Sequence, residues 1–88
     1  MTILFDPAKD ALNLLKHGIS LGDADKFEWE TALVREDLRH AYGERRFEAM
    51  GYIGLRLFVL VYCLRDQGVR AISLRKANQR EVARYAST

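Results

Sequence analysis

The chain is expected to form one α+β domain: N-terminal helices, an antiparallel sheet of three or four strands, and a C-terminal helix. Three observations predict it. A helix with stop and start signals opens the chain. Runs of strand-forming residues joined by short turns follow between residues 44 and 75. A second capped helix closes it. Its 88 residues suit a single domain over residues 1–88, and an apolar fraction of 49% is enough for one core.

Thr2-Ile3-Leu4-Phe5 reads as a short first strand. Asp6-Pro7 then signals a helix start: Asp6 accepts from free backbone N–H groups, and Pro7 suits the first helical position because its missing donor costs nothing there. The spacing predicts a helix over Pro7–His17, with Ala8, Ala11, Leu12 and Leu15 on one apolar face. Lys16 and His17 fall in its last turn, and Gly18 ends it. Ser20 with Asp23 has the spacing of a capping box, so a second short helix is expected to run to about Phe27–Trp29.

Thr31–Arg35 has strand-like residues, and Asp37–Gly43 is a polar connection. From Glu44 to Ile53, Phe47, Ala49, Gly51 and Ile53 alternate with Arg46, Glu48, Met50 and Tyr52, giving one packed and one wetter face. Leu55–Arg65 is apolar on both faces, as a central, doubly covered strand should be. Asp66-Gln67-Gly68 turns the chain into an antiparallel strand, Val69–Arg75. Strict alternation would put Val69, Ala71, Ser73 and Arg75 on one face and Arg70, Ile72 and Leu74 on the other. Asn78 with Glu81 predicts a capping box and a last helix, from which Val82 and Tyr85 pack back on the sheet.

Charge is divided unevenly. Residues 1–44 carry a net −4 and residues 45–88 a net +6. A basic second half is what a polyanion-binding surface requires, and scattered solvated arginines are the plainer reading. The anion favoured is a phosphodiester, because the planar fork of Arg binds phosphate oxygens in pairs and keeps its charge. Arg75 is the first choice for charge stabilisation and Arg65 the next. Arg45, Arg70, Lys76 and Arg80 are placed as residues that hold the phosphodiester backbone. A tight hairpin puts Arg65 and Arg75 at opposite ends, and Arg45 lies near one or the other according to the strand register. His17, Tyr85 and Glu44 are the candidates for proton transfer. The plainer roles are a helix C-terminal cation for His17 and a core-closing ring for Tyr85. Trp29 reads as a core or partner-facing aromatic, and His40 as a solvated loop residue.

No His/Cys cluster at metal-ligand spacing, phosphate-binding loop, nucleophile elbow or dinucleotide fingerprint occurs. No metal and no cofactor are expected. Cys63 stands alone in an apolar run and reads as a buried thiol. The longest apolar run, Leu57–Leu64, is far short of a membrane span, and no signal segment opens the chain. A cytoplasmic protein with no membrane partner is expected.

An ordered set of motifs covers nearly the whole chain. Lys16-His17-Gly18-Ile19-Ser20 follows the Asp-Pro helix start. Glu44-Arg45-Arg46-Phe47 leads to Gly51. Arg70-Ala71-Ile72-Ser73-Leu74-Arg75-Lys76-Ala77-Asn78 is followed by Glu81 and Tyr85. The set resembles the BrnT family of bacterial toxins. Two positions depart from it: Leu74 stands where Ala is usual, and Phe5 where Trp is usual. The resemblance implies a RelE-like fold and ribonuclease activity that blocks translation. It also implies a cognate BrnA-like antitoxin with a ribbon-helix-helix DNA-binding domain, operator DNA being bound only through the toxin–antitoxin complex. The alternatives are a non-catalytic module that holds nucleic acid or protein on its basic face, and a subunit whose arginines meet only an acidic antitoxin.

Overall fold

The computed structural model describes residues 2–88. In chain order the elements are β1 (Ile3–Leu4), α1 (Pro7–His17), 3-10 segments at Leu21–Lys26 and Trp29–Thr31, β2 (Leu33–Glu36), β3 (Phe47–Ile53), β4 (Arg56–Arg65), β5 (Gly68–Lys76) and α2 (Gln79–Ala86). The strands form one sheet in the order β1-β5-β4-β3-β2.

The sheet corrects the expectation of three or four antiparallel strands. It has five, and it is mixed, because β1 runs parallel to β5 with Ile3 opposite Val69 and Leu4 opposite Arg70. This pairing joins residues far apart in sequence and leaves no local trace. Gly68 allows it: the Val69 N–H donates to the Thr2 carbonyl at 3.0 Å, and a Cβ on Gly68 would collide with that same oxygen. The remaining pairs, β2–β3, β3–β4 and β4–β5, are antiparallel as expected.

The local signals behave as predicted. The Asp6 side chain accepts from the Ala8 N–H at 2.9 Å, Pro7 takes the first helical position, and Gly18 closes α1 with φ 72°. Asn78 and Glu81 form the expected capping box. The second helix is instead a 3-10 segment of six residues. Its capping box is absent, because Ser20 Oγ accepts from the Gly22 N–H while the Asp23 N–H donates to the Ser20 carbonyl instead.

One sheet face is covered by the 3-10 segments, with Leu21, Ala24 and Phe27 packed on Ala49, Phe58, Leu60, Tyr62, Val69, Ala71 and Leu74. A Cβ on Gly51 would lie 2.6 Å from Phe27 Cζ, so glycine there makes room for the ring. The opposite face is covered in part by α2, with Tyr85 packed against Met50, Leu57, Val59, Ala77 and Tyr52.

Helix α1 lies at the edge of the sheet and is turned the other way from its apolar pattern. Leu12 and Leu15 are 64% and 85% exposed, and Asn13 is its only buried residue. Beyond the two residues paired with β1, the outer edge of β5 has no strand neighbour. The Asn13 amide fills that role: Nδ2 donates to Leu74 O at 2.8 Å and Oδ1 accepts from Leu74 N–H at 3.0 Å. A side chain thus satisfies two buried backbone groups.

A bulge changes which residues share a face. The register slips between Val61, opposite Ser73, and Tyr62, opposite Ala71, leaving Ile72 as the extra residue. Val69, Ala71 and Leu74 therefore line the core face. Arg70, Ser73 and Arg75 share the other, contrary to the strict alternation read from sequence. Ile72, the bulged residue, is half-buried.

Candidate active site

On the face that α2 covers only in part, the register sets Arg35, Glu48, Val61 and Ser73 side by side across β2, β3, β4 and β5. At the usual strand spacing this row is about 14 Å wide. The next row, Leu33, Met50, Val59 and Arg75, lies toward α2. The first row is the floor of a trough. One cavity beside it holds about 250 Å³ between Leu33, Val34, Met50, Arg84 and Thr88; a second holds about 320 Å³ between Glu36, Asp37, Leu38 and Arg39. Arg35 and Glu48 line both. A third, of about 170 Å³, lies at the far end between α1 and β5, where Ser73 meets Lys9, Lys16 and His17.

Glu48 is a buried carboxylate at the centre of this arrangement. Arg35 Nη2 and Nε approach it at 2.9 and 3.1 Å, both on Oε1, which leaves Oε2 without a bond to the protein. Arg75 is held as a fork: its Nη1 and Nη2 donate to the two Glu81 oxygens at 2.7 and 2.8 Å. With one longer contact to Lys76 O, three of its five N–H groups are used and two remain. The Arg75 hydrogen bonds hold the Glu81 carboxyl down at about 2, against the opposing effect of burial. Glu48 and Arg39 both act electrostatically on Arg75, and Glu48 on Arg39, so the three belong to one field.

Arg39 is fixed by Asp37 through two 2.8 Å contacts, and the Tyr42 hydroxyl donates to Asp37 Oδ2 at 3.1 Å. The Arg39 guanidinium holds the Asp37 carboxyl far below the usual carboxylate range. Arg46 stacks over Tyr42 at 4.2 Å, and its buried Nε has no partner within the protein.

The residues singled out in the sequence scatter over this frame. Arg75 stands at the α2 wall. His17, at the β5 end, is close enough for Arg75 to act on it; partial burial, Lys16 and Arg75 all lower its proton affinity. Arg65 is six residues along β4 from Val59, the partner of Arg75, or about 20 Å away. It pairs with Glu44 at 2.9 Å. Tyr85 is turned from the trough: its hydroxyl donates to Thr31 O at 2.7 Å and its ring meets Tyr52 edge-on. Arg45 pairs with Glu36 at 3.0 Å and lies over Phe47. Arg70 is opposite Cys63 on the trough face, Lys76 ends β5, and Arg80 is exposed in the first turn of α2.

Comparison with known proteins decides the family. The family model described as "Ribonuclease toxin, BrnT, of type II toxin-antitoxin system" matches residues 5–81. The chain belongs to the BrnT family. A crystal structure of the Brucella abortus ribonuclease toxin BrnT is similar, at 26% identity and a TM-score of 0.70, covering 90% of this chain and 99% of that one. No curated protein matches. BrnT membership carries ribonuclease activity and a cognate antitoxin at the level of the family. Among the described residues no helix is long and apolar enough to cross a membrane, and no group of three His, Cys, Asp or Glu is placed to hold a metal ion.

The sequence reading passed over Glu48, Arg35 and Arg39 in this BrnT chain. Glu48 left a signal: it is an acid inside a strand whose neighbours Ala49 and Met50 are buried. An acid buried in a strand interior is uncommon unless something pairs with it. Arg35 becomes the partner of Glu48, and Arg39 comes within its field, only through the β2–β3 register and the connection that follows, which no local pattern reports.

Proposed function

We propose that the trough is the RNA-cleaving site of a metal-independent endoribonuclease toxin. The observation that carries this is the unbonded Oε2 of buried Glu48, set within the field of Arg35, Arg39 and Arg75. A ribose 2′-OH attacks the adjacent phosphorus: the 2′-O–P bond forms, the P–O5′ bond breaks, and a 2′,3′-cyclic phosphate and a 5′-hydroxyl result. Glu48 accepts the 2′-OH proton. The two free N–H groups of Arg75 stabilise the charge that gathers on the non-bridging oxygens, more in the transition state than in the ground state. His17, at the β5 end, returns a proton to the leaving oxygen. Its lowered proton affinity makes it a ready donor but thins its charged population, so the rate should rise as pH falls from 8 toward 6.

Arg65 and Tyr85 drop from the chemistry in this reading, since each is engaged elsewhere. Arg70 holds the RNA backbone on the trough face. Cleavage of mRNA would block translation in the cytoplasm. A BrnA-like antitoxin with a ribbon-helix-helix domain would cover the basic and apolar surface together and stabilise this small fold by mass action.

The test is cleavage of RNA by the purified protein in EDTA. Arg75→Ala should lower kcat by about 10²–10³, the usual loss for one oxyanion-type donor. Glu48→Gln should be at least as damaging, whereas Arg65→Ala should cost less than about tenfold. A wild type that is inert on free and on ribosome-bound RNA overturns the proposal. Full activity of Glu48→Gln removes Glu48 as the base.

A further inference from the structure

The groove between α1 and β5 has a composition that packing does not explain. Lys9, Leu12, Lys16 and His17 project from one side of α1 toward Ile72 and Ser73. Ser73 is also the β5 end of the trough floor, so the groove continues the trough beyond the sheet. Neither Lys9 nor Lys16 has a carboxylate within ion-pairing distance among the described residues, whereas Arg35, Arg39, Arg45, Arg65 and Arg75 are all paired. Lys16 and His17 suit the C-terminal end of a helix. Lys9 does not have that excuse: it is the third residue of α1, where the helix dipole disfavours a cation. The two lysines are seven residues apart on one side, or about 10 Å along the axis. They form a line of unneutralised charge leading into the site.

We infer that this groove is a second phosphate-binding subsite, in which Lys9 and Lys16 hold the RNA backbone flanking the phosphate at Arg75. The inference rests on the reading of the trough as an RNA site. A subsite of this kind makes affinity depend on substrate length. A dinucleotide has one phosphate and fills only the Arg75 position; a longer strand reaches the groove as well.

The test uses single-stranded 2′-O-methyl RNA, which lacks the attacking hydroxyl and stays intact. Binding of a dinucleotide and of a longer oligonucleotide is measured over a range of salt for wild type, for Lys9→Ala/Lys16→Ala and for Lys26→Ala. Both groove lysines are exposed, so the double variant should fold. Its plot of log affinity against log salt should be shallower by about 0.7 for each phosphate released from the groove. The gain in affinity from dinucleotide to oligonucleotide should shrink with it. Lys26→Ala, on a different element and paired with Asp23, should behave as wild type. A double variant with the wild-type slope and the wild-type length gain overturns the inference, and the lysines would then face an acidic protein partner instead. Wild-type cleavage of unmodified RNA is scored separately. A wild type that binds with the predicted length gain but does not cut retains the subsite and removes the cleavage reading.

Discussion

Glu81 joins the stability of the fold to the posture of its best-placed arginine, and Glu81→Ala separates the two. The substitution deletes three hydrogen bonds, two from Arg75 and one from the Asn78 N–H. A carboxyl held at about 2 rather than 4.5 gains about 3 kcal/mol in its charged form. Arg75 is one-third exposed, so water screens part of this, and about 2 kcal/mol is the expected loss. For a domain of this size that lowers Tm by about 8–16 °C.

The pH dependence follows from the direction of the shift. The folded state depresses the Glu81 affinity for protons, so its stabilising effect is complete above about 4.5. It fades as pH falls toward about 2. Wild type and Glu81→Ala should therefore differ by a constant Tm gap from pH 7 to pH 5, and the gap should close on further acidification. Thermal melts followed by circular dichroism measure it. Glu81→Gln should lie between the two, because an amide oxygen can still accept from Asn78. A gap below about 3 °C at pH 7, or one that persists unchanged to pH 3, refutes the reasoning.

Other perturbations probe the frame around the site. Asn13→Leu should destabilise by about 2–4 kcal/mol in urea titrations, since it leaves the buried Leu74 N–H and C=O without partners. Gly51→Ala should cost about 1–3 kcal/mol by the same measurement, because the added methyl meets the buried Phe27 ring at 2.6 Å. Leu12→Ser/Leu15→Ser should change the stability of the isolated chain by less than about 1 kcal/mol, both side chains being exposed. A loss of several kcal/mol there would mean that the leucines pack inward, as their spacing suggests.

What was legible in the sequence was local. Asp6-Pro7, Gly18 and the Asn78–Glu81 pair set their helix ends through contacts spanning a few residues, and such contacts leave a pattern. Strand β4 was legible because a run apolar on both faces has one comfortable position, inside a sheet. The parallel β1–β5 pair is not written in any window, and Asn13 pairs with a residue 61 positions away. Helix α1 misled by its composition. Its leucines have the spacing of a buried stripe, yet the polar side chains of Asp10 and Asn13 fasten it to the body. The bulge at Ile72 had the largest effect on the site. One extra residue moved Arg70 to the face of Arg75 and aligned Ser73 with Glu48. An alternation count through β5 could not anticipate that.

Two groups of cations around the site differ in a way that bears on their roles. Arg35, Arg39 and Arg75 are each clamped by a carboxylate and point in a set direction. Lys9 and Lys16 are unclamped on a helix surface. A clamped guanidinium has already met the cost of being oriented, which suits it to a transition state whose charge appears at one place. A free ammonium adapts to a flexible backbone and adds affinity without direction. If Arg75 works through orientation, Arg75→Lys should not rescue it. Lysine keeps the charge but cannot span both Glu81 oxygens and still present further N–H groups to a phosphate. Its kcat should lie near that of Arg75→Ala, while RNA binding, measured on the 2′-O-methyl analogue, stays closer to wild type. A lysine variant cutting within about threefold of wild type would show that charge alone suffices at this position, and that the Glu81 clamp serves only the helix cap.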